Sequence, residues 1–436
     1  MFTQLTGNET TRMETDGVTR PVLILGAEPR AVVPIARSLH RRGIPVDVAG
    51  LSPAEPRLSS RAIRSFIRLP SHERPPHEFI AALTALIRAK QYDMLIPWGD
   101  TALALIAQHY GHLSTLLHVG CPPPHIVHLV LDKMPTLEAA QRCGIAIPAT
   151  HFVSDMAELE ALQSKLRFPM IAKPRDKKQI GAHAFKIQYF QTYQELRKAF
   201  ELDARFGSRN LLQDYCLGDG LLVGMLIHDG EPVAMFQHRR VTELPYSGGV
   251  AVLTVSEQLD PVLAEHSLAL LRDLEWEGIA CVEFRYNRAD KTAILMEVNG
   301  RYWAALAMAI HAGIDFPLYE WQLAHGEKPR VPSSYPIGLR ARWTRGDLLR
   351  LHGLFGVSAD AFPPRPAILK EAAHMVADWL SPTRDALWSL TDPLPAISEL
   401  SRTLKYLAVQ DLKRITKKLI PTGILGLIRT YRHQHS

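Results

Sequence analysis

Late in the chain two acidic segments face each other across a short turn. They are Gly278-Ile-Ala-Cys-Val-Glu-Phe-Arg-Tyr and Ala293-Ile-Leu-Met-Glu-Val-Asn-Gly-Arg, with Arg288-Ala-Asp-Lys between them. This pattern predicts a β-hairpin. With the turn centred near Asp290, antiparallel pairing sets Glu283 directly opposite Glu297, and alternation returns Asn299 to the face of Glu297. Two carboxylates paired across a sheet repel, so a fold tolerates them best with a cation between them. Glu283, Glu297 and Asn299 are hard oxygen donors, the set that suits Mg²⁺ or Mn²⁺ carrying a nucleotide phosphate. Arg301, two residues further on, returns to the same side and would meet developing negative charge. A solvated hairpin with ordinary surface acids is the competing reading. It fits poorly, because Val282, Phe284, Ile294, Leu295, Met296 and Val298 are too apolar for an exposed ribbon.

Other candidates are scattered upstream. Lys173 closes an apolar strand just before Pro174, which ends the pairing; its ammonium either projects into a site or snorkels at the surface. Lys133 opens a helix after Asp132, where cations are mildly unfavourable and an anionic partner would make sense. Leu211-Leu-Gln-Asp-Tyr-Cys reads as a strand whose edge amides and carbonyls would suit a base such as adenine. In Gln237-His-Arg-Arg-Val-Thr-Glu, alternation puts His238 and Arg240 on one face. The Ser247-Gly-Gly loop beyond them lets backbone approach a ligand closely. That stretch reads as a site for a polyanion or carboxylate, or else as a hairpin with an exposed basic face.

These residues need a scaffold, and the chain supplies one. Its 436 residues are enough for two or three domains, and 47% hydrophobic with 22% charged residues is ordinary for a globular protein. Residues 1–19 read as a disordered leader. From 20 to about 125, strands at Val22–Leu25, 45–50 and 94–98 alternate with helices at 31–42 and 79–90. That rhythm implies a small Rossmann-like parallel sheet. Its first turn, Gly26-Ala-Glu-Pro-Arg, lacks the glycines of a dinucleotide fingerprint, which argues against an NAD enzyme. The Pro-Trp-Gly-Asp run at 97–100 marks a strand end that would wall an acceptor site. Residues 126–330 form a second domain of mixed strands and helices, and residues 331–436 a mainly helical region.

No apolar run approaches the roughly 20 residues that span a bilayer. The four cysteines are scattered, with no CxxC pair, so no disulfide framework is expected and a reducing, cytoplasmic setting fits. The net charge of +6 is uneven: residues 401–436 hold eight Lys/Arg and the single acid Asp411. A near-neutral body argues against nucleic acid. The tail predicts a basic amphipathic helix with Leu404, Leu407, Ala408, Leu412, Ile415 and Leu419 on one stripe. Such a stripe packs on its own core or a protein partner, or lies on an anionic membrane; homo-oligomerisation stays open.

Taken together, the features resemble the ATP-grasp superfamily of carboxylate–amine or carboxylate–thiol ligases. The likeness covers roughly residues 20–330 and is nearest the carbamoyl phosphate synthase and biotin carboxylase type. The order is a Rossmann-like domain, two spaced lysines, a hinge strand, then Glu…Glu-x-Asn-x-Arg. The resemblance implies an α/β and α+β fold, with ATP and Mg²⁺ as cofactors and small-molecule acid and amine substrates. It implies that Lys133 and Lys173 reach phosphates, that Gln213, Asp214, Tyr215 and Cys216 hold adenine, and that Asp219 bonds the ribose. Glu283, Glu297 and Asn299 would hold the metal, and Arg301, Arg240 and His238 would serve the reaction. Two other outcomes share the fold: a phosphotransferase, or a nucleotide-binding scaffold without turnover. The segment Arg175-Asp-Lys-Lys-Gln-Ile-Gly-Ala-His departs from the family, having one glycine where the phosphate-covering loop is usually glycine-rich. Lys177, Lys178 or His183 would have to substitute there.

Overall fold

The computed structural model describes residues 19–52, 55–73, 76–177, 187–203, 210–357 and 362–419. The expected leader (residue 19 apart), Lys178, His183 and the end of the basic tail lie outside them.

Three sheets carry the architecture. The first is fully parallel, in the order β3-β2-β1-β4-β5: β1 (Val22–Leu25), β2 (Val46–Gly50), β3 (Ser65–Arg68), β4 (Met94–Pro97) and β5 (His118–Val119). β1 and β4 are apolar, β2 is apolar apart from Asp47, which Arg64 pairs at 2.7 Å, and all three are buried along their whole length, as a sheet covered on both faces requires. The crossovers include α1 (Pro29–His40), α2 (Pro76–Lys90), α3 (Asp100–Gln108) and α4 (Tyr110–Leu113). The strand order reverses between β1 and β4, so their carboxyl ends open a crevice. Gly26 and Gly99 line it, both with positive φ, and a Cβ on Gly26 would sit 2.6 Å from the Trp98 carbonyl.

α5 (Pro124–Leu131) and α6 (Lys133–Arg142) lead into a four-stranded sheet in the order β6-β9-β7-β8. Its strands are β6 (Thr150–Val153), β7 (Met170–Pro174), β8 (Gln188–Phe190) and β9 (Asn210–Asp214), packed under α7 (Met156–Leu162) and α8 (Tyr193–Leu202) around Leu159, Met170, Leu196 and Leu212.

The largest sheet has seven strands in the order β14-β13-β10-β11-β12-β15-β16. Its members are β10 (Asp219–His228), β11 (Glu231–Leu244), β12 (Val250–Ser256), β13 (Gly278–Asn287), β14 (Thr292–Asn299), β15 (Arg340–Arg342) and β16 (Arg384–Asp385). The region after 331, expected to be mainly helical, therefore also contributes two short strands here. α9 (Pro261–Asp273), α10 (Leu306–His311) and α11 (Phe316–Ala324) pack on this sheet, and α12 (Thr344–Leu354), α13 (Ile368–Leu380) and α14 (Leu394–Leu419) follow. One hydrophobic cluster joins Leu23 and Leu95 of the parallel sheet to Val223, Val282 and Leu295 of the large one, so the two sheets share a core. The four cysteines are free, and among the described residues no helix is long and apolar enough to cross a membrane.

Gly224, in central strand β10, shows how tightly this core is packed. A Cβ there would lie 2.3 Å from the Trp303 ring. We expect Gly224→Ala to destabilise the protein by about 1–3 kcal/mol, because a buried indole has nowhere to move. A shift of the urea midpoint at unchanged slope would report it; an unshifted midpoint would show that the ring relocates freely.

Candidate functional site

The acidic hairpin forms as β13 and β14, and Glu283 faces Glu297. A detail of register decides this. The pairs nearest the turn, such as Asn287–Thr292 and Phe284–Leu295, are centred between Ala289 and Asp290. On that register alone Glu283 would face Met296. A bulge between Phe284 and Glu283 admits Met296 as an extra residue and moves the remaining pairs to Glu283–Glu297 and Cys281–Asn299. Because a one-residue slip reverses every side chain, the bulge is what turns Glu297 towards Glu283.

The two carboxylates have different partners. Arg240 of β11 grips both oxygens of Glu283 at 2.5 Å. It reaches there across β10 at Gly220, where a Cβ would stand 3.1 Å from the Arg240 Cδ. The same guanidinium bonds Glu243 and the Gly249 carbonyl, and Glu243 is also held by Arg285 at 3.1 Å. Burial pushes the Glu283 carboxyl up, against the pull of Arg240, and nearby Glu297 adds to the rise. Glu297 behaves oppositely. Burial alone would raise it, but Lys177, Lys133 and Lys173 surround it and hold it well below the usual carboxylate range. Its Oε1 accepts from the Asn299 amide at 3.3 Å, and its Oε2 lies 3.5 Å from the Lys177 ammonium.

The lysines come from three places, and pairing of one short segment aligns two of them. Leu131 to Lys133 runs beside Arg175 to Lys177: the Lys133 amide donates to the Arg175 carbonyl, and the Lys177 amide to that of Leu131. Lys133, at the start of α6, donates its ammonium to the Pro174 carbonyl at 2.8 Å. Burial lowers its pKa to about 8, with Glu297 opposing. Lys173 is buried at the end of β7, and burial lowers its pKa too. Lys177 donates to the Val298 carbonyl at 2.7 Å and lies 3.5 Å from the Asn299 oxygen. Sequence reasoning named Lys177 only as a stand-in for a missing glycine loop; in the fold it stands against the face that carries Glu297 and Asn299.

Arg301 shares this wall. Asp100, the first residue of α3, braces it with two bonds of 2.8 and 3.0 Å, and its Nη2 lies 3.4 Å from the Asn299 oxygen. Burial works to raise Asp100, but Arg301 and Lys177 overcome it and hold the carboxyl low. The brace was not legible locally, since 201 residues separate the pair. Its only signal was Gly99-Asp100 at a strand end.

Two expectations need correction, and a third residue, Asp219, is found in an ion pair. β9 is an interior strand, paired to β6 on one side and β7 on the other, so Gln213 and Asp214 have no free edge to offer a base. The Gln213 side chain is buried and bonds Thr150, and the Asp214 amide donates to Ala149. Even the Tyr215 amide is taken, by the Pro169 carbonyl. Edge recognition therefore narrows to the Tyr215 carbonyl and Cys216. His238 is fully buried and stacked between Phe236 and Trp303, with no hydrogen-bond partner on either ring nitrogen. Burial, with Arg240 adding, pushes its pKa down to about 3, so it is a neutral packing residue and not a proton carrier. Asp219 accepts from Arg288 at 2.6 Å in an ion pair on the sheet surface.

The donor chemistry can be tested against a divalent cation. Among the described residues, no group of three or more His, Cys, Asp or Glu is arranged so that it could hold a metal ion by itself. Glu283, Glu297 and Asn299 nonetheless give a compact set of oxygens. Glu297 and Asn299 make only long contacts of 3.3–3.5 Å, which a cation could displace. Too few for a cage, they fit Mg²⁺ held jointly with phosphate oxygens.

A cavity of about 490 Å³ lies at the carboxyl ends of β1 and β4, next to Asp100. Trp98, Gly99 and Thr101 form one wall; Trp343, Arg345, Glu399 and Arg402 of the C-terminal helices form another. Burial pushes Glu399 up to about 7.

Known structures share this fold. The L-amino acid ligase from Bacillus licheniformis superimposes with a TM-score of 0.56 at 17% identity, covering 70% of this chain and 74% of that one. The biotin carboxylase from Campylobacter jejuni, in complex with an ATP analogue, gives 0.57 at 15% identity over 73% and 74%. An N5-carboxyaminoimidazole ribonucleotide synthetase in its ADP complex gives 0.61 at 12% identity over 82% and 96%. No family model matches the sequence, and no curated protein matches it. The fold is the ATP-grasp fold.

Lys133 gives a pH prediction. Below about 8 its ammonium is charged and attracts phosphate; above that it is neutral. Affinity for a non-hydrolysable ATP analogue should fall as pH rises through about 8. Lys133→Met should bind weakly throughout and lack the inflection. Calorimetric titration from acid to alkaline pH checks this, and a wild-type profile flat across that region would remove Lys133 from the site.

Proposed function

We propose that the protein is an ATP-dependent ligase that activates a carboxylate as an acylphosphate and passes it to an amine or another nucleophile. What carries the reading is the facing pair Glu283–Glu297, ringed by Lys133, Lys173 and Lys177 and flanked by an Arg301 that Asp100 holds in place. Structural likeness to nucleotide-bound enzymes of the same fold supports it.

In this reading Glu297, Asn299 and Glu283 hold Mg²⁺, which neutralises phosphate charge when bound. Lys133 and Lys173 hold phosphate oxygens, and the backbone at Tyr215 and Cys216 meets the base. A substrate carboxylate oxygen attacks the γ-phosphorus as its bond to the β-phosphate oxygen breaks, releasing ADP. Arg301 faces the charge that develops on the transferred group. The acceptor then attacks the acyl carbon, phosphate leaves and the nitrogen loses a proton. Such chemistry depends on positioning and charge neutralisation more than on a protein nucleophile. The cavity beside Asp100 is the proposed acceptor site.

Product analysis tests the reading. Purified protein with ATP, Mg²⁺ and a panel of acids and amines should release ADP and phosphate only when both partners are present. ADP with a stable phosphorylated acid and no need for amine would show a kinase. No ADP with any pair, despite nucleotide binding, would show a scaffold.

A further inference from the structure

Of the stripe expected in the basic tail, Leu404, Ala408 and Leu412 face solvent and Leu407 is half-buried; the side chains of Ile415 and Leu419 lie outside those described. Along α14, Pro395, Glu399 and Thr403 turn inward, and Glu399 bonds the Trp343 indole at 3.1 Å. On the opposite side stand Ile397, Leu400, Leu404 and Leu412, exposed by 51, 40, 55 and 62%, with Ala408 also exposed between them. Their spacing of three, four and eight residues makes one continuous row on a helix. This row therefore does not pack on the described core, which leaves a partner or a membrane as its cover. Trp388 and Leu390, just before the helix, are exposed as well.

Charge distinguishes what could cover this row. Residues 401–436 carry a surplus of seven positive charges, whereas the whole chain carries +6, so the rest is close to neutral. Within the described helix, Lys405, Lys413 and Arg414 accompany the stripe, while Arg402 lines the cavity on the inward side. Of the two acids on this helix, Glu399 is turned inward to Trp343, and Asp411 is engaged by His352 at 2.8 Å. An apolar row bordered by lysine and arginine, on an otherwise neutral protein, matches a negatively charged lipid surface. Acyl chains would take the leucines, and anionic headgroups the ammonium and guanidinium groups.

We propose that α14 docks the protein peripherally on an anionic membrane, apolar stripe inward and helix axis in the plane of the interface. The proposal is independent of the ligase reading, since it involves no residue of the hairpin site.

Vesicle co-sedimentation of the full chain tests it. The probes are vesicles of phosphatidylcholine alone and of phosphatidylcholine with one-third phosphatidylserine. The protein should sediment with the second and not the first, and raised salt should release it. Leu404→Glu with Leu412→Glu should abolish sedimentation; both side chains are exposed, so the fold is unaffected. Lys405→Ala or Lys413→Ala should weaken the apparent affinity about fivefold each. Equal binding to both vesicles, binding insensitive to salt, or no binding would overturn the proposal. So would a concentration-dependent dimer in light scattering that the double leucine variant dissolves while vesicles are ignored, which would identify a second copy as the occupant. Vesicle binding that appears only after deletion of residues 420–436 would show instead that the chain covers its own stripe.

Discussion

Arg301→Ala should lower kcat by on the order of 10²–10³ while leaving the affinity for Mg²⁺-nucleotide little changed. The expectation rests on where the guanidinium is held. Asp100 takes two of its N–H groups at 2.8 and 3.0 Å, and the Tyr302 carbonyl a third at 3.2 Å. The arginine is thus fixed before any substrate arrives, and a fixed charge stabilises a transition state without reorganising. Asp100→Asn tests the brace separately. It removes the negative charge that orients the guanidinium and should also reduce kcat, by less than Arg301→Ala does, because the cation remains. Single-turnover measurements with saturating nucleotide separate the chemical step from binding. An Arg301→Ala protein with normal turnover would eliminate the assigned role.

Removing the acidic pair should have the other large effect. In the Glu283→Gln, Glu297→Gln double variant, Mg²⁺-dependent binding of an ATP analogue should disappear from calorimetric titrations that show it clearly in the wild type. The two changes act through different physics. Glu297 is the common counter-charge of Lys133, Lys173 and Lys177. Neutralising it leaves three clustered cations, two of them with ammonium groups already disfavoured by burial. Losing one partner of a buried ionic group typically costs about 3–5 kcal/mol, so a thermal melt must accompany the titration. Glu283→Gln instead leaves Arg240 with Glu243 as its remaining counter-charge, because its two bonds of 2.5 Å lose their acceptor charge. If the single Glu283→Gln variant keeps full Mg²⁺ dependence while Glu297→Gln loses it, the metal is held by Glu297 and Asn299 with Arg240 permanently on Glu283. Retention of Mg²⁺-dependent binding by the folded double variant would refute a metal site on this hairpin.

Much of this site could be read locally. The parallel sheet was legible because its three central strands are short, mostly apolar and punctuated by glycine at Gly26 and Gly43. The hairpin was legible because a turn of four polar residues fixes which positions meet. Its true centre lies half a residue from the expected one, however, and the bulge at Met296 restores the pairing. The lysines announced themselves by type, at a helix start and a strand end.

Sequence alone thus determined the local quantities: which residues alternate, which turn joins two strands, and which side chains can carry charge or bind a hard cation. Only the tertiary structure decided the rest. It made β9 interior, placing Gln213 between two neighbours, and it buried His238 between Phe236 and Trp303 although its sequence spacing matched that of Arg240. It brought Asp100 to Arg301, passed Arg240 over Gly220 to Glu283, and turned the leucines of α14 outward. The physical reason is the same throughout. Periodicity reports the face on which a side chain lies, but only the neighbour across a sheet or beneath a helix decides whether that face meets protein, ligand or solvent.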